Sequence, residues 1–163
     1  MSLILDGSNG LTFPNSTVQA SAGKIIQVVS ATSTTTYSSS STSWVAATGF
    51  SATISPQFST SKIAVFMCGG TVDSNGIGSQ VAMTIYRNNT TNLAPPNGGN
   101  DKGICEIYGP SSRLQIPISM SYVDSPSTTS ATTYTLYYRG NGSTNYINGD
   151  NTQGCIILME IAQ

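Results

Sequence analysis

Histidine is absent from this chain, and that removes most hydrolytic chemistry at once. Without an imidazole there is no Ser-His-Asp triad, no Cys-His dyad and no histidine-based metal site. Seven acids remain: Asp6, Asp73, Asp101, Glu106, Asp124, Asp150 and Glu160. A glycan-cleaving pair needs two carboxyls facing one groove about 5–9 Å apart. Asp101 and Glu106 are the nearest two in sequence, beside a Gly-Gly-Asn loop. Spacing along a chain does not set them across a cleft, and a solvated loop acid is the simpler reading. "DGSNG" (6–10) and "NGDN" (148–151) have too few acids for a calcium loop, and Asx-type turns account for both. Glycine-rich "CGGTVDSNGIG" (68–78) lacks the lysine and following helix of a phosphate loop. Cys68, Cys105 and Cys155 sit in apolar or strand-like runs with no C-x-x-C spacing, so reduced core cysteines are expected. The sequence offers no catalytic residues, no metal ligands and no cofactor site.

Binding is what remains. A sugar site stacks aromatic faces on sugar C–H groups and uses amides, carboxylates and hydroxyls for the sugar oxygens. Tyr108, Tyr137 and Tyr146 are the candidate rings, with Asn100, Asp101, Asn145 and Asn148 in nearby loops. Tyr137 alternates with Tyr134, Leu136 and Tyr138, so it is expected to point outward. For each tyrosine, ordinary strand packing is the competing reading.

The elements that must carry these residues are strands. "RLQIPISMSYV" places Leu114, Ile116, Ile118, Met120 and Tyr122 on one face. Pro117 removes one ladder donor, which predicts an edge strand or a bulge there. Val81, Met83 and Ile85 alternate in the same way, as do Tyr134, Leu136 and Tyr138; Phe50, Ala52 and Ile54; and Trp44 and Ala46. Turn signals such as Asn75-Gly76, Pro95-Pro96-Asn97-Gly98-Gly99, Asn141-Gly142 and Asn148-Gly149 separate the runs. Low-complexity residues 30–43 read as a strand anchored by Tyr37, a turn near Ser39–Ser41, then the Trp44 strand. The expected fold is all-β: an antiparallel β-sandwich, jelly-roll-like, of about eight to ten strands. Three runs, "KIIQVV" (24–29), "IAVFMC" (63–68) and "CIILMEI" (155–161), are apolar on both faces. One face meets the core; the other calls for a cover, most simply a second copy of the chain.

Composition narrows the partners. Only 8% of the 163 residues are charged, where about a quarter is usual, so Ser, Thr, Asn and Gly must form the surface. Six basic residues spread along the chain give no footprint for phosphates or anionic lipid, so no nucleic acid is expected. No run approaches a membrane span, and Met1-Ser2-Leu3-Ile4-Leu5-Asp6 is not a secretory signal, so synthesis and folding in a cytoplasm are expected. The Asn-x-Ser/Thr triplets at Asn15, Asn88, Asn89 and Asn141 then reflect composition alone. The sandwich is expected over residues 24–163, preceded by a leader at 1–23. Leu3, Leu5, Leu11, Phe13 and Val18 are too few to form a core of their own. They are expected to dock onto the domain, sister subunits or another protein.

"GLTFPNSTVQASA" (10–22) resembles a leader found in tail-fibre and other virion proteins of tailed bacteriophages, marine and cyanobacterial phages especially. "KIIQVVSAT", "TSWVAATGFSATISP", "SKIAVFMCGG", "SMSYVDSPSTTSATTYTLYYRG" and "CIILMEIAQ" are similar to the small β domain that follows this leader. The resemblance implies a non-enzymatic virion structural protein, synthesised and assembled in the host cytoplasm, that forms homotrimers and contacts other virion proteins. One expectation is a fibre or receptor-binding component touching host surface glycan. The alternative is a capsid decoration, cement or head-fibre protein. A chain consisting only of leader and domain would attach to the virion through the leader.

Overall fold

Alternation of apolar and polar residues governs nearly every element. The computed structural model describes residues 24–94, 102–109 and 112–163, and the backbone alone of 4–6, 10–12 and 18–19. Three short strands, β1 (Ile4–Asp6), β2 (Gly10–Thr12) and β3 (Val18–Gln19), pair as a small antiparallel meander. There follow β4 (Lys24–Ser33), β5 (Tyr37–Ser39), β6 (Val45–Ile54), β7 (Lys62–Ser74) and β8 (Gln80–Arg87). Then come β9 (Thr91–Asn92), β10 (Cys105–Tyr108), β11 (Leu114–Asp124), β12 (Thr132–Gly140), β13 (Asn145–Ile147), one 3-10 turn, η1 (Gly149–Asn151), and β14 (Gly154–Ala162).

Two antiparallel sheets form. The first runs β4-β14-β7-β11, with β13 and β5 continuing the rows of β14 and β4 beside the far end of β7. The second runs β6-β12-β8-β10, and β9 pairs with β8. The pairings are nested: β4 with β14, β6 with β12, β7 with β11, β8 with β10. One long hairpin has rolled up on itself, which is the jelly-roll topology. The eight strands of the roll, seven long and β10 of four residues, fall within the expected eight to ten, and β5, β9 and β13 are short additions.

Inner faces of both sheets supply the core. Phe50, Ile54, Ile63, Val65, Met67, Met83, Ile85, Ile118, Leu136, Ile156 and Leu158 are buried, together with Tyr134 and Tyr138. Among the described residues β11 pairs with β7 alone, and its register shifts between Pro117 and Ser119, so Pro117 marks both an edge strand and a bulge. Tyr37 anchors the Ser/Thr-rich stretch: its hydroxyl accepts the Gly49 N–H at 2.6 Å and its ring packs on the core. One register expectation fails. Ala47, not Ala46, is fully buried. The β6–β12 pairing jumps from Ser51–Thr135 to Ala46–Tyr137, so the extra β6 residues re-phase the strand. Trp44 is only half-buried, and its ring lies 5.4 Å from the Arg139 guanidinium carbon.

The buried phenols predict an alkaline limit. Burial first, then the neighbouring Tyr37, pushes Tyr138 up to about 12. Tyr134 is raised further, by burial and then by its hydrogen bond to Asp124. The folded chain therefore holds these protons to higher pH than the unfolded chain, whose tyrosines titrate near pH 10. Their contribution is complete below about pH 10 and is lost as pH rises through the folded value. For Tyr138 the loss is roughly 3 kcal/mol. Urea midpoints should stay flat up to about pH 8, begin to fall as the unfolded thiols lose protons that the buried Cys105 keeps, and fall further between about pH 10 and 12. A flat midpoint across the upper window would contradict this.

Candidate ligand site

The far end of β7 builds the site. Val72 points into the core, so Asp73 must face outward. Tyr146 of β13 and Gln115 of β11 are its register partners on either side. Asp73 is nevertheless completely buried, because η1 folds over it. Residue 149 must be glycine for this closure: a Cβ there would strike the Asp73 carboxylate. Asn148, Asp150 and Asn151 all have left-handed backbone, with φ of 54°, 57° and 57°, which Asn and Asp tolerate best among non-glycine residues. The result is an open depression of about 330 Å³ lined by Thr36, Asn75, Arg113, Tyr146, Gly149 and Asp150.

Arg113 is its charged centre. Its Nε donates to Asp73 Oδ2 at 3.0 Å, and one terminal nitrogen contacts the same oxygen. That terminal nitrogen also donates to Asp150 Oδ2 at 2.9 Å. Gln115 Nε2 reaches Asp150 Oδ2 and Thr71 Oγ1, each at 3.2 Å. The hydrogen bond to Asp73, then that to Asp150, then the charge of Asp73 hold the guanidinium charged more firmly than usual. Asp73 Oδ1 is buried with no hydrogen-bond partner, leaving an unused acceptor beneath the guanidinium. The site thus combines a fixed cation, an aromatic ring, a hydroxyl and an amide. With one guanidinium set against two carboxylates, that set suits a neutral hydroxylated ligand.

Of the expected ligand-site residues that are described, only Tyr146 lines this depression. Asn148 lies just behind it and is structural: its side-chain nitrogen donates to the carbonyls of Ser33 and Thr35, and its backbone carbonyl accepts from Thr36 Oγ1. Asn145 is fully buried, accepting from Ser79 Oγ and donating to the Gln80 and Ser143 carbonyls. Tyr137 faces outward from the second sheet, stacked on Tyr86 with ring centroids 4.0 Å apart. Tyr108 is exposed on the edge strand β10. Asn100 and Asp101 lie outside the described residues, as do Leu3 and Phe13 and the side chains of Leu5, Leu11 and Val18. Sequence reasoning missed Thr36, Asn75, Arg113, Gly149 and Asp150. A charge in a chain with so few, as at Asp73 inside an otherwise apolar strand, was the available signal.

The rest of the first sheet's outer face is different in character. Register places Val28, Met159, Ala64 and Val123 in one row across β4, β14, β7 and β11. Ser30, Ile157, Phe66 and Ser121 form the next, and Thr32, Cys155, Cys68 and Ser119 the third. Val28 is 57% exposed, Val123 56% and Phe66 39%. A second depression of about 380 Å³ lies on this face between Phe66, Cys68, Ser119, Ser121, Ile157 and Met159. The cysteines therefore differ from expectation. Cys68 is exposed and Cys155 half-buried, both facing outward because their strand positions alternate with core residues Met67 and Ile156.

The class defined by this fold is an all-β jelly roll, with a polar depression and an apolar strip on the outer face of one sheet. No protein-family model matches the chain, and no curated protein matches it.

Proposed function

We propose that the chain is a non-enzymatic structural protein of a tailed-phage virion: a homotrimeric fibre or receptor-binding component that contacts host surface glycan. One observation carries the reading. The outer face of the first sheet exposes Val28, Phe66 and Val123 in adjoining rows, and an apolar strip of that kind calls for burial against another copy. The leader and domain resemblance supports the phage setting and the threefold assembly. The Tyr146–Arg113 depression, on the same outer face, supplies sugar-binding chemistry.

Sedimentation equilibrium of the full chain is expected to give three chains per particle. A monomer at micromolar concentration would rule the trimer out. Labelled protein is expected to bind phage-sensitive cells, and Tyr146→Ala to weaken that binding roughly tenfold while Tyr137→Ala leaves it intact. A trimer that binds no cells would favour the alternative of capsid decoration or cement.

A further inference from the structure

We propose that Cys68 and Cys155 are an oxidisable pair that closes a reversible cross-strand disulfide on the outer face of the first sheet. The two are register partners on β7 and β14. Their side chains share the outer face, Cys68 exposed and Cys155 half-buried. Opposed residues of antiparallel strands have Cα atoms about 4.5–5.5 Å apart, inside the range that a disulfide spans. Their Cβ atoms, at about 4.5–5.5 Å, sit wider than a relaxed bridge prefers. Closure must therefore draw the strands together. The local backbone has the slack for it. Gly69 and Gly154 are the next register pair, Gly69 and Gly70 have φ of 69° and 63°, and the β11 bulge lies on the other side of Cys68. A bridge formed under strain is easily reduced, which makes this a switch rather than a permanent staple. A reducing cytoplasm keeps both thiols free; an oxidising exterior closes them.

The chemistry divides between the two sulfurs. With a peroxide as oxidant, the exposed Cys68 thiolate attacks one peroxide oxygen and breaks the O–O bond, giving a sulfenic acid and hydroxide. The Cys155 sulfur then attacks the Cys68 sulfur, its proton leaving with the sulfenic oxygen as water. Overall two thiols and one peroxide yield one disulfide and two waters. Burial first, then the neighbouring Cys68, holds the Cys155 thiol above its ordinary value, which makes Cys155 the poorer first nucleophile toward peroxide. Cys105 is a built-in control. It lies opposite Met83, and burial pushes its thiol up to about 11.

The test is mild hydrogen peroxide on the full chain as single subunits, obtained by dilution or with Phe66→Lys so that the proposed association does not cover Cys68, read by intact mass and by peptide mapping without reductant. The expected product has lost two hydrogens, contains a 68–155 linked peptide, returns to the starting mass with dithiothreitol, and leaves Cys105 open to alkylation. In Cys155→Ser, Cys68 should accumulate a sulfenic acid that dimedone traps. In Cys68→Ser, oxidation of Cys155 should slow roughly tenfold or more. Linkage between chains, over-oxidation of wild-type Cys68 beside an intact Cys155 thiol, or no change in mass would each overturn the proposal. The wild-type readout stands even if a variant misfolds.

Discussion

Asp124→Ala is expected to cost about 3–5 kcal/mol of stability, because it breaks a buried charged network from its centre. Asp124 closes β11, and its side chain is 8% exposed. Both carboxylate oxygens lie 2.9 Å from Arg87 Nη1, and Oδ2 also accepts the Tyr134 hydroxyl at 2.8 Å. Arg87 comes from β8 and Tyr134 from β12, so one carboxylate ties the edge of the first sheet to two adjacent strands of the second. Truncation leaves a guanidinium only 25% exposed without its counter-charge and a fully buried phenol without its acceptor. Leaving such groups unpaired costs more than the pair itself contributes. Asp124→Asn keeps a side-chain oxygen for one of these donors and should lose less; Tyr134→Phe, which removes a single hydrogen bond, should lose about 1 kcal/mol. Urea unfolding with an unchanged slope would give that ranking. A loss under about 1 kcal/mol for Asp124→Ala would mean that solvent already screens the pair.

Much of the sandwich was legible because burial in a strand has period two. Ile118 and Met120, Val81, Met83 and Ile85, and Tyr134, Leu136 and Tyr138 all fall on the expected inner faces. Pro117 even announced its bulge, since a missing N–H is a local property. What periodicity does not carry is any irregularity in the partner strand. The β6 re-phasing that exchanged Ala46 for Ala47 depends on how β12 runs beside it. The ligand site was hidden for a related reason. Arg113 meets Asp73 across 40 residues and Asp150 across 37, and only the pairing of β7 with both β11 and β13 makes them neighbours. Asn145 and Asn148 looked like loop amides free for a ligand. Their side chains instead satisfy backbone carbonyls inside the roll, where an unpaired group is costly. The two-faced strands were the most informative signal of all. β4, β14 and β7 lie side by side, so three separate apolar runs become one continuous strip.

That strip carries the second large effect. Phe66→Lys is expected to leave the chain folded and to convert the proposed oligomer to monomers. Folding survives because Phe66 faces outward, 39% exposed, while its chain neighbour Val65 fills the core. Association fails for two additive reasons. Burying one aromatic side chain contributes about 2–3 kcal/mol, which the variant forfeits. A lysine forced into an apolar contact must also be desolvated without a partner, and the face around it provides none: its row holds Ser30, Ile157 and Ser121. Together these raise the dissociation constant by roughly a hundredfold to a thousandfold or more. Val28→Lys and Val123→Lys, one row away on either edge of the same strip, should act in the same direction but more weakly, because edge positions are less completely covered. Ile77→Lys supplies the contrast. Ile77 is 83% exposed in the turn between β7 and β8, off the strip, and its substitution should leave the mass unchanged. Sedimentation of the four variants beside the parent chain reads the pattern directly. If Phe66→Lys remained assembled while circular dichroism reported an intact fold, the subunits would have to meet elsewhere, and the apolar strip would need a different occupant.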